Sequence, residues 1–129
     1  MTDAPAPGRP ALPTRRRSAL LEALELFRLG DPNTRLSTVV AYLYVCENEG
    51  FCVSELAAAS GLTLATASRA ARSLGPAGAP GSLPPALGLA ELRICGRTRV
   101  IHLTAAGRRL RDRLDETISA ANTILRYSG

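Results

Sequence analysis

Apolar positions along the chain set out its elements before any chemistry is considered. From Ser18, "SALLEALELFRLG" brings Leu20, Leu21, Leu24, Leu26, Phe27 and Leu29, apolar on nearly every side of a helix, which predicts burial on more than one face. Asp31-Pro32 then offers a capping residue and a helix-starting proline. The next helix has its body in "RLSTVVAYLYVCENEG", with Leu36, Val39, Val40 and Leu43 at helical spacing and Gly50 as its stop. "FCVSELAAASG" reads as a helix of about two turns, N-capped by Ser54 and ended by Gly61. Thr63 caps a fourth helix that runs to Leu74 before Gly75-Pro76. At helical spacing Leu64, Ala67, Ala71 and Leu74 share its inner face. Ala65, Thr66, Arg69, Arg72 and Ser73 lie opposite, a surface that is small, hydroxylic and basic.

"GPAGAPGSLPPALG" is too dense in glycine and proline for regular structure and reads as a loop. Two alternating runs follow, "LAELRI" and "TRVIHL", joined through Cys95-Gly96-Arg97 as a tight β-hairpin with Arg93, Arg97 and Arg99 at or near its tip. Thr104 then caps a long helix whose stripe is Gly107, Leu110, Leu114, Ile118, Ala121 and Leu125. Pairs such as Arg108 with Asp112 and Arg111 with Asp115 cover its outside. So long a helix outruns the core of a small domain, and part of its stripe is expected to meet a second copy of the chain.

Length and composition add one domain, residues 18–129, preceded by a disordered, basic, proline-rich arm over 1–17 that ends in Arg15-Arg16-Arg17. The arm's arginines read as a solvated tail ahead of a groove contact. The chain carries 16 basic against 11 acidic residues, a net charge of +5, and every basic residue is arginine. That balance favours a polyanionic partner. No apolar run approaches a bilayer span and no signal-peptide order is present, so the expectation is a cytoplasmic, nucleoid-associated protein with no membrane partner. Cys46, Cys52 and Cys95 lack metal or redox spacing and His102 is the one histidine, so neither a metal nor a cofactor is expected. Cys46 reads as a small core residue, Cys95 as an exposed thiol near Arg93 and Arg97, and His102 as a packing or hydrogen-bonding residue. With no phosphate loop, histidine pair or recognisable nucleophile arrangement, the chain is not expected to be an enzyme.

The order helix, helix, short helix, glycine turn, polar helix, loop, basic hairpin, long helix contains a helix-turn-helix. A helix with short polar side chains and arginines on its open face suits the DNA major groove, and a basic hairpin just downstream suits a wing. "VSELAAASGLTLATASRAARSLG" followed by "GLAELRICGRTRVIHLTAAGRRL", with the "L-T-x-x-G-R" junction into the last helix, resembles the MarR-type winged helix-turn-helix transcriptional regulators over about Leu36 to Leu114. Its loop before the wing is longer and richer in proline than that pattern, and its wing is shorter. The expected fold class is mainly α with a small β-hairpin, a winged helix-turn-helix domain whose long terminal helices form a dimer interface. The expected function is a sequence-specific DNA-binding transcriptional regulator, a repressor, binding an inverted-repeat operator in double-stranded DNA as a homodimer. The 63–74 helix lies in the major groove and the 89–103 hairpin serves as wing. Thr66, Arg69 and Ala65 are assigned to base edges, Thr63, Ser68, Arg72 and Ser73 to phosphates, and Arg97 and Arg99 to phosphate or minor-groove contact. The resemblance further implies a small-molecule effector, which no residue identifies. Two alternatives stay open: a winged-helix protein-interaction module, favoured by the short wing and alanine-rich helix, and a nonspecific architectural DNA binder.

Overall fold

The structure, a computed structural model, describes residues 11–128, and side-chain surroundings for 18–120. In order come α1 (Ala11–Gly30), α2 (Leu36–Glu47), α3 (Val53–Ser60), α4 (Leu64–Leu74), β1 (Ala90–Cys95), β2 (Thr98–Leu103) and α5 (Ala105–Ser128). The fold is thus mainly helical with one antiparallel hairpin, as its periodicities predict. Helix α1 starts at Ala11 and takes in Ala11–Arg17, which the sequence pattern left in the arm; residues 1–10 lie outside the described ones, as do the side chains of Arg15–Arg17.

Tyr42 and Val45 from α2, Leu56 from α3, Leu74 from α4, and Ile101 and Leu103 from β2 are the fully buried centre. Tyr42 organises the far side: its ring meets Phe27 of α1 edge-on at 5.5 Å, and its hydroxyl donates to the Gly107 carbonyl of α5 at 2.6 Å. One residue therefore ties α1, α2 and α5 together. The buried face of α2 is Thr38, Val39, Ala41, Tyr42 and Val45, whereas Leu36 and Leu43, expected inside, are 72% and 43% exposed. Helix α2 is apolar nearly all round, so spacing alone does not single out its inner face.

Helix α3 is capped by Cys52 rather than Ser54: Glu55 Oε1 accepts the Cys52 amide at 2.9 Å, a contact that holds the Glu55 carboxyl below the usual range. The earlier start has a tertiary cause. Phe51 and Cys52 lie beside β2, with the Ile101 amide donating to Phe51 O at 2.7 Å and the Gly50 amide to Ile101 O at 2.8 Å. This short bridge fastens the helix-turn-helix to the hairpin.

On α5, Gly107 and Leu114 are buried, Leu110 is half-buried and Ile118 is 51% exposed, while Ala121 and Leu125 of the expected stripe lie outside the described side chains. The expected outer pairs are replaced. Arg108 reaches Glu49 at 2.7 Å, and Arg111 meets the adjacent Asp112 at 3.3 Å. Glu49 outcompetes Asp112 for Arg108 because the Leu103 amide, donating at 3.0 Å, already fixes its Oε2 over the first turn of α5.

Candidate nucleic-acid interface

Gly61, at φ 78°, ends α3 in the left-handed region and turns the chain into α4. Thr63 caps α4 as its sequence predicts: its Oγ1 accepts the Thr66 amide at 3.1 Å and donates to Thr66 Oγ1 at 2.9 Å. The Thr66 hydroxyl thereby keeps its own proton for a partner outside. Ala67, Ala70, Ala71 and Leu74 form the buried side of α4. Its first two turns present Thr63, Ala65 and Arg69 openly, with Thr66 and Ser68 half-buried and Leu64, expected inside, 58% exposed. Arg69 makes no ion pair among the described residues.

The last turn of α4 behaves differently. Ser73 is buried, 8% exposed, and its Oγ donates to Pro84 O at 3.2 Å, so it leaves the outward face on which the sequence pattern set it. Arg72 is half-buried and its Nε donates to Gly81 O at 2.9 Å. The cause is the proline-rich loop, which folds back along the helix end. Amides of Leu83, Leu87, Leu89 and Gly88 donate to the carbonyls of Arg72, Ser73, Leu74 and Gly75 at 2.8–3.1 Å. These are the carbonyls an α-helix leaves unpaired at its C-terminus, and the loop satisfies them in place of solvent.

The hairpin pairs Ala90 with Leu103 through Cys95 with Thr98 around a two-residue turn, where Gly96 sits at φ 64° as a tight hairpin requires. Its base is buried and its tip exposed. Arg97 and Arg99 are exposed without an ion pair among the described residues, whereas Arg93 is held by Glu91 at 2.7 Å. Cys95 is exposed at the tip. Cys46 is half-buried, and burial pushes its thiol above the ordinary value. His102 Nδ1 lies 3.3 Å from Glu49 Oε2.

The "L-T-x-x-G-R" junction has a physical account, residue by residue. Leu103 is fully buried. Thr104 Oγ1 accepts the Gly107 amide at 3.0 Å and donates to Gly88 O at 2.6 Å, capping α5 while holding the end of the loop. Gly107 packs so close to the Leu89 carbonyl that a Cβ there would overlap that oxygen. Arg108 completes the motif by pairing with Glu49.

One neighbour of α4 leaves no signal in the sequence. A cavity of about 560 Å³ runs between Thr66 and Arg69 on one side and the α1–α2 turn on the other, where Asn33, Arg35, Ser37 and Thr38 line it; residues 83–85 form its end wall. The stretch "DPNTRLST" carries polar and basic groups between two apolar helices, but nothing local announces that it meets α4. Among the described residues no group of three His, Cys, Asp or Glu side chains is placed to hold a metal, and no helix is long and apolar enough to cross a membrane.

No protein-family model and no curated protein matches the chain. Solved structures do. A MarR transcriptional regulator from Methanosarcina mazei Go1 superposes with a TM-score of 0.58 at 14% identity, over 91% of this chain and 72% of that one. A MarR-family transcriptional regulator from Rhodococcus sp. RHA1 gives a TM-score of 0.53 at 23% identity, over 90% of this chain and 69% of that one. Identities this low speak to architecture, and the architecture agrees with the motifs along Leu36 to Leu114: the chain has the MarR-type winged helix-turn-helix fold.

Proposed function

We propose that the protein is a sequence-specific DNA-binding transcriptional regulator, a repressor that covers an inverted-repeat operator as a homodimer. The observation that carries this reading is the open start of α4, where exposed Thr63, Ala65 and Arg69 and half-buried Thr66 lie beside a hairpin bearing Arg97 and Arg99, with none of these three arginines in an ion pair among the described residues. Such a helix fits the major groove, with Arg69 and Thr66 at base edges, Ala65 against a thymine methyl, and Thr63 and Ser68 toward phosphates. Arg97 and Arg99 serve the flanking backbone or minor groove. Ser73 is assigned to the loop instead, since its hydroxyl proton goes to Pro84, whereas Arg72, whose Nε alone donates to Gly81, keeps its terminal N–H groups for a phosphate. The solved neighbours are transcriptional regulators, which supports the same reading.

Dimerisation is supported by apolar surface left open on one protomer: Leu20, Leu21 and Leu24 of α1 are 62%, 59% and 42% exposed, and Ile118 of α5 is 51% exposed. A second copy covering α1 and α5 would bury them and satisfy the expectation that α1 is buried on more than one face. The bare Leu64 and Ile94, 58% and 78% exposed, favour the rival reading of a protein-interaction module. The proposed site of action is the cytoplasm, on the nucleoid.

Paired substitutions test the assignment. Arg69→Ala is expected to cost about 1–3 kcal/mol on the operator and little on random duplex, relaxing sequence preference. Arg99→Ala is expected to weaken both duplexes alike. Equal binding of Arg69→Ala and the parent to both would remove α4 from the role of reading helix.

A further inference from the structure

The core face of the hairpin runs on past the core. In the register of β1 and β2, Ala90 with Leu103, Leu92 with Ile101, and Ile94 with Arg99 stand on one side of the sheet. The first two pairs pack into the protein, whereas Ile94 is 78% exposed and Arg99 is exposed. Together with Leu92 that last pair walls a second cavity, of about 310 Å³, closed by Ala71 and Arg72 at the end of α4 and by the proline-rich loop. The loop wall is held by its own backbone: the Ala79 amide donates to Pro76 O at 3.2 Å and the Ser82 amide to Ala79 O at 3.0 Å. Two guanidiniums border the cavity with donors to spare. Arg99 makes no ion pair among the described residues, and Arg72 gives only its Nε to Gly81 O, so its terminal N–H groups remain. Glu91 also borders the space, but its Oε2 accepts from Nε and Nη2 of Arg93 at 2.9 and 2.7 Å, which offsets its charge. Ser82 gives an independent sign. It lines the cavity, and its Oγ is the one buried side-chain polar atom without a hydrogen-bond partner among the described residues. Such an atom is costly to the fold unless a bound group supplies the partner.

We infer that this cavity binds a small organic anion, a carboxylate on a compact hydrocarbon body. Arg72, Arg99 and the Ser82 hydroxyl take the carboxylate, and Leu92, Ile94 and Pro80 take the hydrocarbon. A planar guanidinium matches a carboxylate with two parallel N–H bonds. An inorganic anion would leave the apolar wall wet, and a neutral hydrocarbon would strand both guanidiniums, so the lining asks for both parts in one molecule. The walls come from α4, the loop and the hairpin of one protomer, apart from the open leucines of α1. Binding itself does not depend on the DNA-binding reading, but its consequence does. Arg72 and Arg99 are the arginines assigned to phosphates beside α4, so the bound carboxylate and DNA compete for the same guanidiniums.

The probes are cyclohexanecarboxylate and hexanoate, with cyclohexanecarboxamide, acetate and inorganic phosphate as controls, all at constant ionic strength. Amide shifts of the full chain are followed by nitrogen–proton NMR up to about 10 mM probe, which reaches millimolar affinities. At least one of the two carboxylates is expected to move the amides of Ala71, Gly81, Ser82, Leu92 and Ile94 saturably, and the controls to leave them in place. Ile94 is exposed, so Ile94→Asp should fold as the parent does while setting a like charge at the cavity. It is expected to weaken the carboxylate by roughly tenfold or more. Ser82→Ala removes the orphaned oxygen, so it should melt no lower than the parent and bind the carboxylate several-fold more weakly. No saturable shift with either carboxylate, equal shifts with the carboxamide, or parent-like affinity in both variants would overturn the site. Fluorescence anisotropy with operator and shuffled duplex then tests the competition. At about ten times its own Kd the carboxylate is expected to raise the apparent Kd for either duplex by roughly tenfold, and DNA affinity unchanged by a bound carboxylate would overturn the shared use of Arg72 and Arg99. The parent's binding to both duplexes without probe judges the DNA-binding reading separately, so a failure of one is not mistaken for a failure of the other.

Discussion

Single residues in this protein are constrained by close approach more than by charge. Gly107 is the clearest case: α5 passes so near Leu89, the residue before β1, that a Cβ would overlap the Leu89 carbonyl, and the Gly107 carbonyl in turn accepts from Tyr42 at 2.6 Å. Backbone oxygen cannot swing aside as a side chain can, so any residue larger than glycine must push α5 off the hairpin and stretch the Tyr42 bond. Gly107→Ala is accordingly expected to destabilise the fold by about 3 kcal/mol, read as a lowered midpoint in urea with an unchanged slope. A loss under about 0.5 kcal/mol would mean that the approach is not as tight as described. The motif carrying Gly107 was visible as a pattern in the sequence, but its reason was not, because Leu89 is eighteen positions away and meets it only in the folded chain.

Elements were legible where their ends are written in local chemistry. Thr63 and Gly61 bound the helix-turn-helix turn, and Gly96 turns the hairpin, each by a conformation or hydrogen bond made within a few residues. What stayed hidden depends on distant partners. The inner face of α2 is set by Tyr42 meeting α1 and α5, the start of α3 by Phe51 and Cys52 joining β2, and the direction of Ser73 by the loop that closes over α4. In the candidate site the same division holds: the open start of α4 could be read from spacing, the α1–α2 turn beside it could not. Glu49 shows how elements are clamped. Burial alone would raise its carboxyl, but the Leu103 amide, Arg108 and His102 outweigh that and hold it below the ordinary carboxylate range. A lowered folded value means that the stabilisation is present above the ordinary carboxylate range and is lost as pH falls through the lowered one. Glu49→Gln should therefore be less stable than the parent at neutral pH, by roughly 1 kcal/mol, with the difference closing below about pH 4. Urea melts at neutral and acid pH check it, and a gap that persists in acid would contradict the clamp.

At the scale of the whole molecule, the parts form one device. The core of Tyr42, Leu56, Leu74 and Leu103 fixes α4 relative to the hairpin, and the proline-rich loop ties off the end of α4 so that its polar start is what projects. Arg35, Arg69, Arg97 and Arg99, none of them in an ion pair among the described residues, come from the α1–α2 turn, α4 and the hairpin, and the open leucines of α1 are where the proposed second copy would pack. Two such protomers would set their reading helices about one DNA turn apart, on the order of 10 base pairs. The most direct test is the affinity of the purified full chain for its own upstream DNA and for a shuffled duplex of equal length, by fluorescence anisotropy at low and physiological salt. The account predicts a preference for the upstream DNA that survives physiological salt while overall affinity falls steeply with it. Equal binding to both duplexes that vanishes at physiological salt would contradict it and leave the arginines as no more than a basic surface.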